Sequence, residues 1–354
     1  YVPVADLNAQ SQKEIKKSDL DSFLSETSRS EIQGRILVGT TDLLGTGARD
    51  VIEAQEKPVT LVLRDTLDRA DVVFPSSIKD LSQTKPKPKP KPRQHQLEAI
   101  EAVVKGLKDK DRGQFLMCCG TGKTFTSLWI KERLKANSTL ILVPSLGLLS
   151  QTLREWTFAR NENFQIRCVC SDETVGRYED SAMGHTSDLG FPVAKHPSEI
   201  REFLNKTGQK VIFSTYQSSP KIVEAQKSKS VGEFDLIIAD EAHRCTGKVS
   251  EEYESVLDSS KIKVVKRVFM TATPRTYTTS VKKSAEARGV DIASMDDESV
   301  FGLVLHELKF SKAIELGLLT DYRVVIVGVD DPMIHDWIQN RELLKTETSI
   351  ETDA

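Results

Sequence analysis

Two stretches of the chain hold residue types that could do chemistry together. The first is Met117-Cys-Cys-Gly-Thr-Gly-Lys-Thr124, set between the apolar run Phe115-Leu116-Met117 and a helical pattern through Leu128, Trp129, Ile130 and Leu134. Strand, glycine turn, Lys-Thr and helix is the context of a phosphate-binding loop. Gly120 and Gly122, on either side of Thr121, let the backbone curl until several N–H groups face one anion. The helix opening at Lys123 adds its positive end, and Lys123 itself opposes the terminal phosphates of a nucleotide such as ATP. Thr124 offers a hydroxyl to Mg²⁺. The strict pattern has glycine where this chain has Met117. The second stretch, Asp240-Glu241-Ala242-His243, ends the apolar run Phe234–Ala239. A carboxylate there can hold Mg²⁺ opposite Thr124 while its neighbour polarises an attacking water. Asp240 is assigned to the metal and Glu241 to the water. The rival reading, acids capping the next helix, is disfavoured because three strands separate the two stretches, as in a nucleoside-triphosphatase core.

Two further segments could complete such a site. Thr271-Ala272-Thr273-Pro274 also ends a strand, and the hydroxyls of Thr271 and Thr273 could bridge Glu241 or His243 to a bound polymer. Arg93-Gln94-His95-Gln96 precedes the first helix of the core; the Gln96 amide can donate to and accept from an adenine edge at once.

The elements that position these residues alternate strand and helix. Residues 1–83 read as a small α/β piece: a helix capped by Ser18, a strand from Arg35, a helix around Ala48–Gln55 and a strand Val59–Leu63. Residues 85–92 repeat Lys-Pro four times. That composition predicts an extended, solvated spacer of roughly 25 Å at ~3.1 Å per residue. Beyond it, a helix Gln96–Leu107 leads to the phosphate loop. Strands are expected at Thr139–Val143, Gln165–Val169, Val211–Thr215, Phe234–Ala239 and Arg267–Thr271, the last clear one. Crossover helices lie between them, and a loop-rich excursion fills residues 171–200. Apolar strands joined by helices predict a parallel sheet covered on both faces, with ligands beyond its carboxyl ends.

Composition narrows the setting. The 354 residues carry a formal net charge of −3, so any nucleic-acid contact must come from local patches. The five cysteines have no regular spacing and read as buried thiols rather than a metal site with His185 or His243. Cys168 and Cys170 should share one strand face. Unpaired thiols make the reducing cytoplasm the expected setting; no apolar run reaches membrane-spanning length, and the N-terminus is no signal peptide. An opening at Tyr1 without an initiator methionine suggests a processed product or a fragment.

In order along the chain stand Gln96, Gly120-Thr-Gly-Lys-Thr124, Pro144-Ser145, Thr215-Tyr-Gln-Ser218, Asp240-Glu-Ala-His243 and Thr271-Ala-Thr-Pro274. They resemble the adenine motif and motifs I, Ia, Ib, II and III of superfamily 2 helicases and translocases. The Met-Cys-Cys lead, Thr-Tyr-Gln-Ser, and Phe301-Gly302 followed by Ala313–Tyr322 resemble the branch holding restriction-enzyme motors (types I, III and ISP). The resemblance implies a RecA-like ATPase domain using ATP and Mg²⁺, with Arg93 and Gln96 at the nucleotide. It also implies a grip on double-stranded DNA through Ser145, Gln151, Thr215 and Gln217. The N-terminal piece, through Lys16–Leu24 and the strand ending Thr40-Thr41, resembles the C-terminal half of a Mrr-like restriction nuclease domain. In that family the metal-binding strand precedes the region matching Tyr1; Glu14-Ile-Lys16 and Gln55-Glu-Lys57 are look-alikes read as surface charge.

The expected division is therefore 1–83, partial nuclease domain; 84–92, linker; 93–310, first RecA-like domain; and 311–354, connection and start of a second. There a strand Tyr322–Val329 and a helix through Ile334, Trp337 and Leu343 are expected, while the motifs bearing the arginine finger are missing. Rival readings are a DEAH-type RNA helicase and a nucleotide-gated DNA-binding module without turnover. Further domains of the same polypeptide, among them methyltransferase or specificity modules, are the expected partners.

Overall fold

Alternating helix and strand at the N-terminus folds as a small layer. Helix α1 (Lys17–Glu26), strand β1 (Arg35–Val38), helix α2 (Thr46–Glu53) and strand β2 (Val59–Val62) follow one another, and β1 and β2 pair in parallel. Leu20, Ala48, Ile52, Val59 and Leu61 form its core. The cap of α1 is Lys16 rather than Ser18; the Lys16 N–H donates to the Asp19 carboxylate at 2.9 Å. The computed structural model describes residues 13–29, 31–32, 34–55, 57, 59–68, 70, 72–73, 75, 77–170, 191–248, 251–287, 292–321, 344–345 and 351–352. The strand and helix expected between Tyr322 and Leu343 lie outside them, as does His185, and so does most of the 171–200 excursion.

The Lys-Pro repeat departs from the free spacer that its composition predicts. Lys85–Pro86 pair antiparallel with Val72–Val73. Lys87 Nζ donates to the Ala70 carbonyl at 2.7 Å, and Lys89 Nζ to that of Arg160 at 2.5 Å. The prolines hold the backbone extended, and the lysines use carbonyls on both sides of it as anchors. The segment is a strap.

Seven strands then build one parallel sheet: β3 (Arg112–Met117), β4 (Ser138–Val143), β5 (Gln165–Val169), β6 (Lys210–Thr215), β7 (Phe234–Asp240), β8 (Val264–Thr271) and β9 (Leu303–Leu308). Their order across the sheet is β9-β3-β8-β7-β4-β6-β5. Along the inner strands β3, β8, β7, β4 and β6 the side chains alternate between two cores, as a pleat buried on both faces requires. Phe115, Met117, Ile141, Phe213 and Ile238 face one core, beneath helices α3 (Gln94–Gly106), α4 (Lys123–Leu134) and α5 (Leu146–Ala159). Leu116, Leu142, Ile212, Ile237 and Phe269 face the other, beneath α6 (Pro197–Leu204), α7 (Ser219–Gln226) and α8 (Glu251–Leu257). Cys168 and Cys170 share the first core, as expected.

Two expectations need correction. Arg267–Thr271 is not the last strand: β9 follows and adds to the edge beside β3, with Leu303 and Val304 exposed. Cys119 is exposed, unlike the other four cysteines. This is a RecA-like α/β sheet, and its order places β8 between β3 and β7.

Candidate functional site

Strand order assembles the site from segments distant in sequence. Because β8 pairs with β3 on one side and β7 on the other, the loops after these three strands emerge side by side. They carry Gly120–Thr124, Asp240–His243 and Thr271–Pro274. The phosphate loop turns through left-handed backbone at Gly120 (φ +80°) and Gly122 (φ +87°) before α4 opens at Lys123. Only glycine takes such angles freely, and a Cβ on Gly122 would lie 2.5 Å from Gln96 Nε2.

The buried Lys123 side chain reaches across to the second stretch. Its Nζ lies 3.2 Å from Glu241 Oε1 and 3.8 Å from Asp240 Oδ1. Asp240 is the last residue of β7 and is buried; burial pushes its carboxyl up to about 6 against the pull of Lys123. Burial acts on Glu241 in the same sense, but the hydrogen bond from His243 and the Lys123 charge outweigh it and hold the group at about 2. Two adjacent carboxylates are thus set apart, one near neutrality and one firmly ionised.

Glu241 is a left-handed non-glycine residue, with φ of 49° and ψ of 44°. Such a conformation persists when its surroundings over-determine it. The Glu241 N–H donates to Asp240 Oδ1 at 2.8 Å, and the buried Tyr216 hydroxyl donates to the Asp240 carbonyl at 2.7 Å. Glu241 makes no side-chain capping bond to the short helix that follows, so the helix-cap reading does not apply.

His243, Thr271 and Thr273 join this carboxylate to β8. His243 Nδ1 is 2.8 Å from Thr271 Oγ1 and 3.3 Å from Glu241 Oε2, and Thr271 Oγ1 donates to Glu241 Oε2 at 3.4 Å. Thr273 closes the cluster through its N–H, which donates to Thr271 Oγ1 at 3.1 Å, and its hydroxyl, 3.4 Å from His243 Nδ1. With a proton on Nδ1, His243 donates into the same pair of oxygens, so a shift at Thr271 reaches Glu241 through one hydrogen bond and a shift at Thr273 through two, by way of Thr271 or His243.

The adenine candidate sits differently from its expected place. Gln96 is the third residue of α3, which starts two residues earlier than its pattern suggests. Its Oε1 accepts from the Arg93 N–H at 2.9 Å, and its Nε2 donates to Gly122 O at 3.2 Å. The amide links the start of α3 to the phosphate loop, while the Arg93 side chain is exposed. His95, which sequence reasoning passed over, is buried with Nε2 3.0 Å from Thr121 O.

The polymer-binding candidates divide. Ser145 caps α5, its hydroxyl accepting from Leu148 N at 3.3 Å, and the exposed Gln151 donates to Glu155 at 2.8 Å. The Gln217 side-chain oxygen is buried without a hydrogen-bond partner. Thr215 is fully buried and gives its hydroxyl to Ser218 at 3.2 Å, so in this conformation it offers nothing to a phosphate. Gln55 and Lys57 serve the N-terminal layer instead. Gln55 accepts from Arg35 at 2.7 Å, and Lys57 Nζ donates to the carbonyls of Ser28 and Arg29.

Residues 89–276, more than half of the chain, match the family of the type III restriction enzyme res subunit. The chain belongs to this family. Residues 9–83 also match a restriction endonuclease family. An African swine fever virus protein named "Probable helicase" is 28% identical over 249 residues, 70% of this chain and 25% of its own length. The EcoAI endonuclease subunit of a type I restriction enzyme from Escherichia coli is 26% identical, over 67% of this chain and 24% of that one. In structure the chain matches the ATP-dependent Type ISP restriction-modification enzyme LlaBIII, solved bound to DNA. The TM-score is 0.76 at 33% identity, covering 93% of this chain and 22% of that one. The chain therefore spans about a quarter of the length of the relatives it matches. The expected restriction-enzyme branch of superfamily 2 and the RecA-like sheet both hold, and helicase family membership implies nucleotide use. Among the described residues no helix is long and apolar enough to cross a membrane.

Proposed function

We propose that this chain carries the ATP-hydrolysing motor of a restriction-modification enzyme that moves along double-stranded DNA. The observation that carries the reading is the convergence of Lys123, Asp240 and Glu241 on the carboxyl ends of three neighbouring strands. In this reading the loop Gly120–Thr124 holds the phosphates of ATP, Gln96 and Arg93 serve the base side, and Glu241 orients and deprotonates the attacking water. The oxygen donors of Thr124 and Asp240 fit Mg²⁺, a hard cation that takes hydroxyl and carboxylate ligands. When bound, Mg²⁺ supplies charge against the phosphates. Ser145, Gln151 and Gln217 are the proposed DNA contacts, with Thr215 shaping the turn behind them. Thr271 and Thr273 carry the coupling to His243 and Glu241.

The proposed organisation keeps 1–83 as part of a nuclease-like domain, 84–92 as the strap, 93–310 as the first motor domain and 311–354 as the passage to a second. Further domains of the same polypeptide are the proposed partners, and the cytoplasm the proposed setting. An ionised carboxylate at Glu241 favours turnover over simple gating, and the restriction-enzyme relatives favour duplex DNA over RNA. The test is phosphate release by a protein extended through the second domain, with duplex DNA or RNA added. Stimulation by duplex DNA that disappears in Glu241→Gln supports the reading; stimulation by RNA alone refutes it.

A further inference from the structure

We propose that His95 is a positioning residue that sets the phosphate loop in its anion-binding shape before any nucleotide arrives. The inference rests on the nucleotide reading above and concerns how the loop's own N–H groups are aimed. His95 is 7% exposed, and its Nε2 lies 3.0 Å from the carbonyl oxygen of Thr121. A carbonyl can only accept, so Nε2 carries the proton and donates. No peptide bond described in the chain is cis, so the C=O of Thr121 and the N–H of Gly122 point in opposite directions. Holding that carbonyl against α3 turns the Gly122 N–H the other way, toward the inside of the loop.

The next peptide is held in the same manner, but more heavily. Gly122 O accepts from Gln96 Nε2 at 3.2 Å, from Thr126 Oγ1 at 2.9 Å and from Thr126 N at 3.0 Å. These bonds aim the Lys123 N–H. Among the described residues, Thr121 O has a second donor only in Gln96 Nε2, at 3.5 Å, the weaker of the two by distance. Glycine at 122 makes this peptide easy to rotate, because its left-handed backbone has no Cβ to resist a flip. The position that most needs a pin is therefore the one His95 supplies. A peptide turned over here would present a carbonyl where the phosphates need a donor.

The test compares the parent chain with His95→Phe, which keeps a ring but has no N–H, and His95→Gln, which restores a donor at similar reach. Calorimetric titrations use ATP, GTP and inorganic tripolyphosphate. Removing one neutral hydrogen bond predicts affinities roughly three- to ten-fold weaker for His95→Phe. The loss should be the same for all three ligands, because the loop and not the base is affected. His95→Gln should recover most of it, a rescue that a volume-filling role would not produce. Unchanged affinity in His95→Phe, a loss confined to ATP, or equal loss in both variants would overturn the proposal while leaving the nucleotide reading intact. Failure of the parent to bind any of the three would overturn that reading and this one with it.

Discussion

Asp240, the proposed Mg²⁺ ligand, is a carboxylate whose burial costs stability. Its folded-state value of about 6 lies above the ordinary 3.8 because burial penalises the charge more than Lys123 repays it. Below pH 4 both folded and unfolded chains hold the proton, and the group costs nothing. As pH rises through 6 the unfolded chain gains by ionising first, and stability falls by on the order of 3 kcal/mol. Asp240→Asn removes that charge yet keeps an oxygen for the Glu241 N–H. It should raise the unfolding temperature at pH 7 and leave it unchanged at pH 4, while abolishing Mg²⁺-dependent nucleotide binding. Thermal melts across that range check it; a parent and mutant that differ equally at both pH values would rule it out. Glu241 runs the opposite way, since its value of about 2 contributes stability above pH 4.5 that is lost as pH falls toward 2. Lys123 holds both acids, being 3.2 Å from one and 3.8 Å from the other. Lys123→Ala should therefore remove ATP binding altogether, and calorimetry showing affinity equal to the parent would refute the assignment.

At the scale of elements, the turn after β6 braces the turn after β7. Tyr216 is fully buried, and its hydroxyl supports the carbonyl that precedes the left-handed Glu241. Tyr216→Phe keeps the packing but leaves that carbonyl short of a donor, at a cost of roughly 1–3 kcal/mol. It should lower kcat several-fold with little change in ATP affinity, because Glu241 loses its brace while the phosphate loop is untouched. Equal falls in affinity and kcat would argue for a general packing defect. The same two strands show what the sequence could and could not reveal. Val211–Phe213 and Leu236–Ala239 are buried on both faces, so each reads as a short unbroken apolar run, and the polar motif beyond it is easy to place. The bond from Tyr216 to Asp240 was not legible, since β4 lies between the two strands in the sheet and no local pattern encodes that order. Strand β9 escaped for the opposite reason. At the sheet edge its Leu303 and Val304 stay exposed, and His306 and Glu307 interrupt its apolar pattern. Composition described the Lys-Pro segment as free, whereas its fixed course depends on carbonyls of Ala70 and Arg160 distant in sequence.

For the whole molecule, the decisive question is how much of a motor one parallel sheet can be. Phosphoryl transfer needs charge stabilisation on both sides of the transferred group, and in the proposed reading the sheet supplies one side, through Lys123 and the Mg²⁺ that Asp240 would hold. In motors of the kind the sequence resembles, the other side is an arginine from a second RecA-like domain. Such a finger is typically worth ~10³–10⁵ in rate. The relatives are about four times as long as this chain, which leaves ample room for that domain in them. We predict that the 354-residue chain binds ATP with Mg²⁺ yet releases phosphate slowly, with little stimulation by duplex DNA. A protein extended through the second domain should gain both turnover and stimulation, and Glu241→Gln should abolish both while sparing binding. Steady-state phosphate release with and without DNA, measured on the two lengths side by side, decides the matter. If the shorter chain already matches the longer one, an arginine within it completes the site. Arg244, three residues beyond Glu241, and Arg275, directly after Pro274, are then the first to replace. Loss of turnover in one of those variants, with ATP affinity kept, would place the finger on this sheet and overturn the division of labour between two domains.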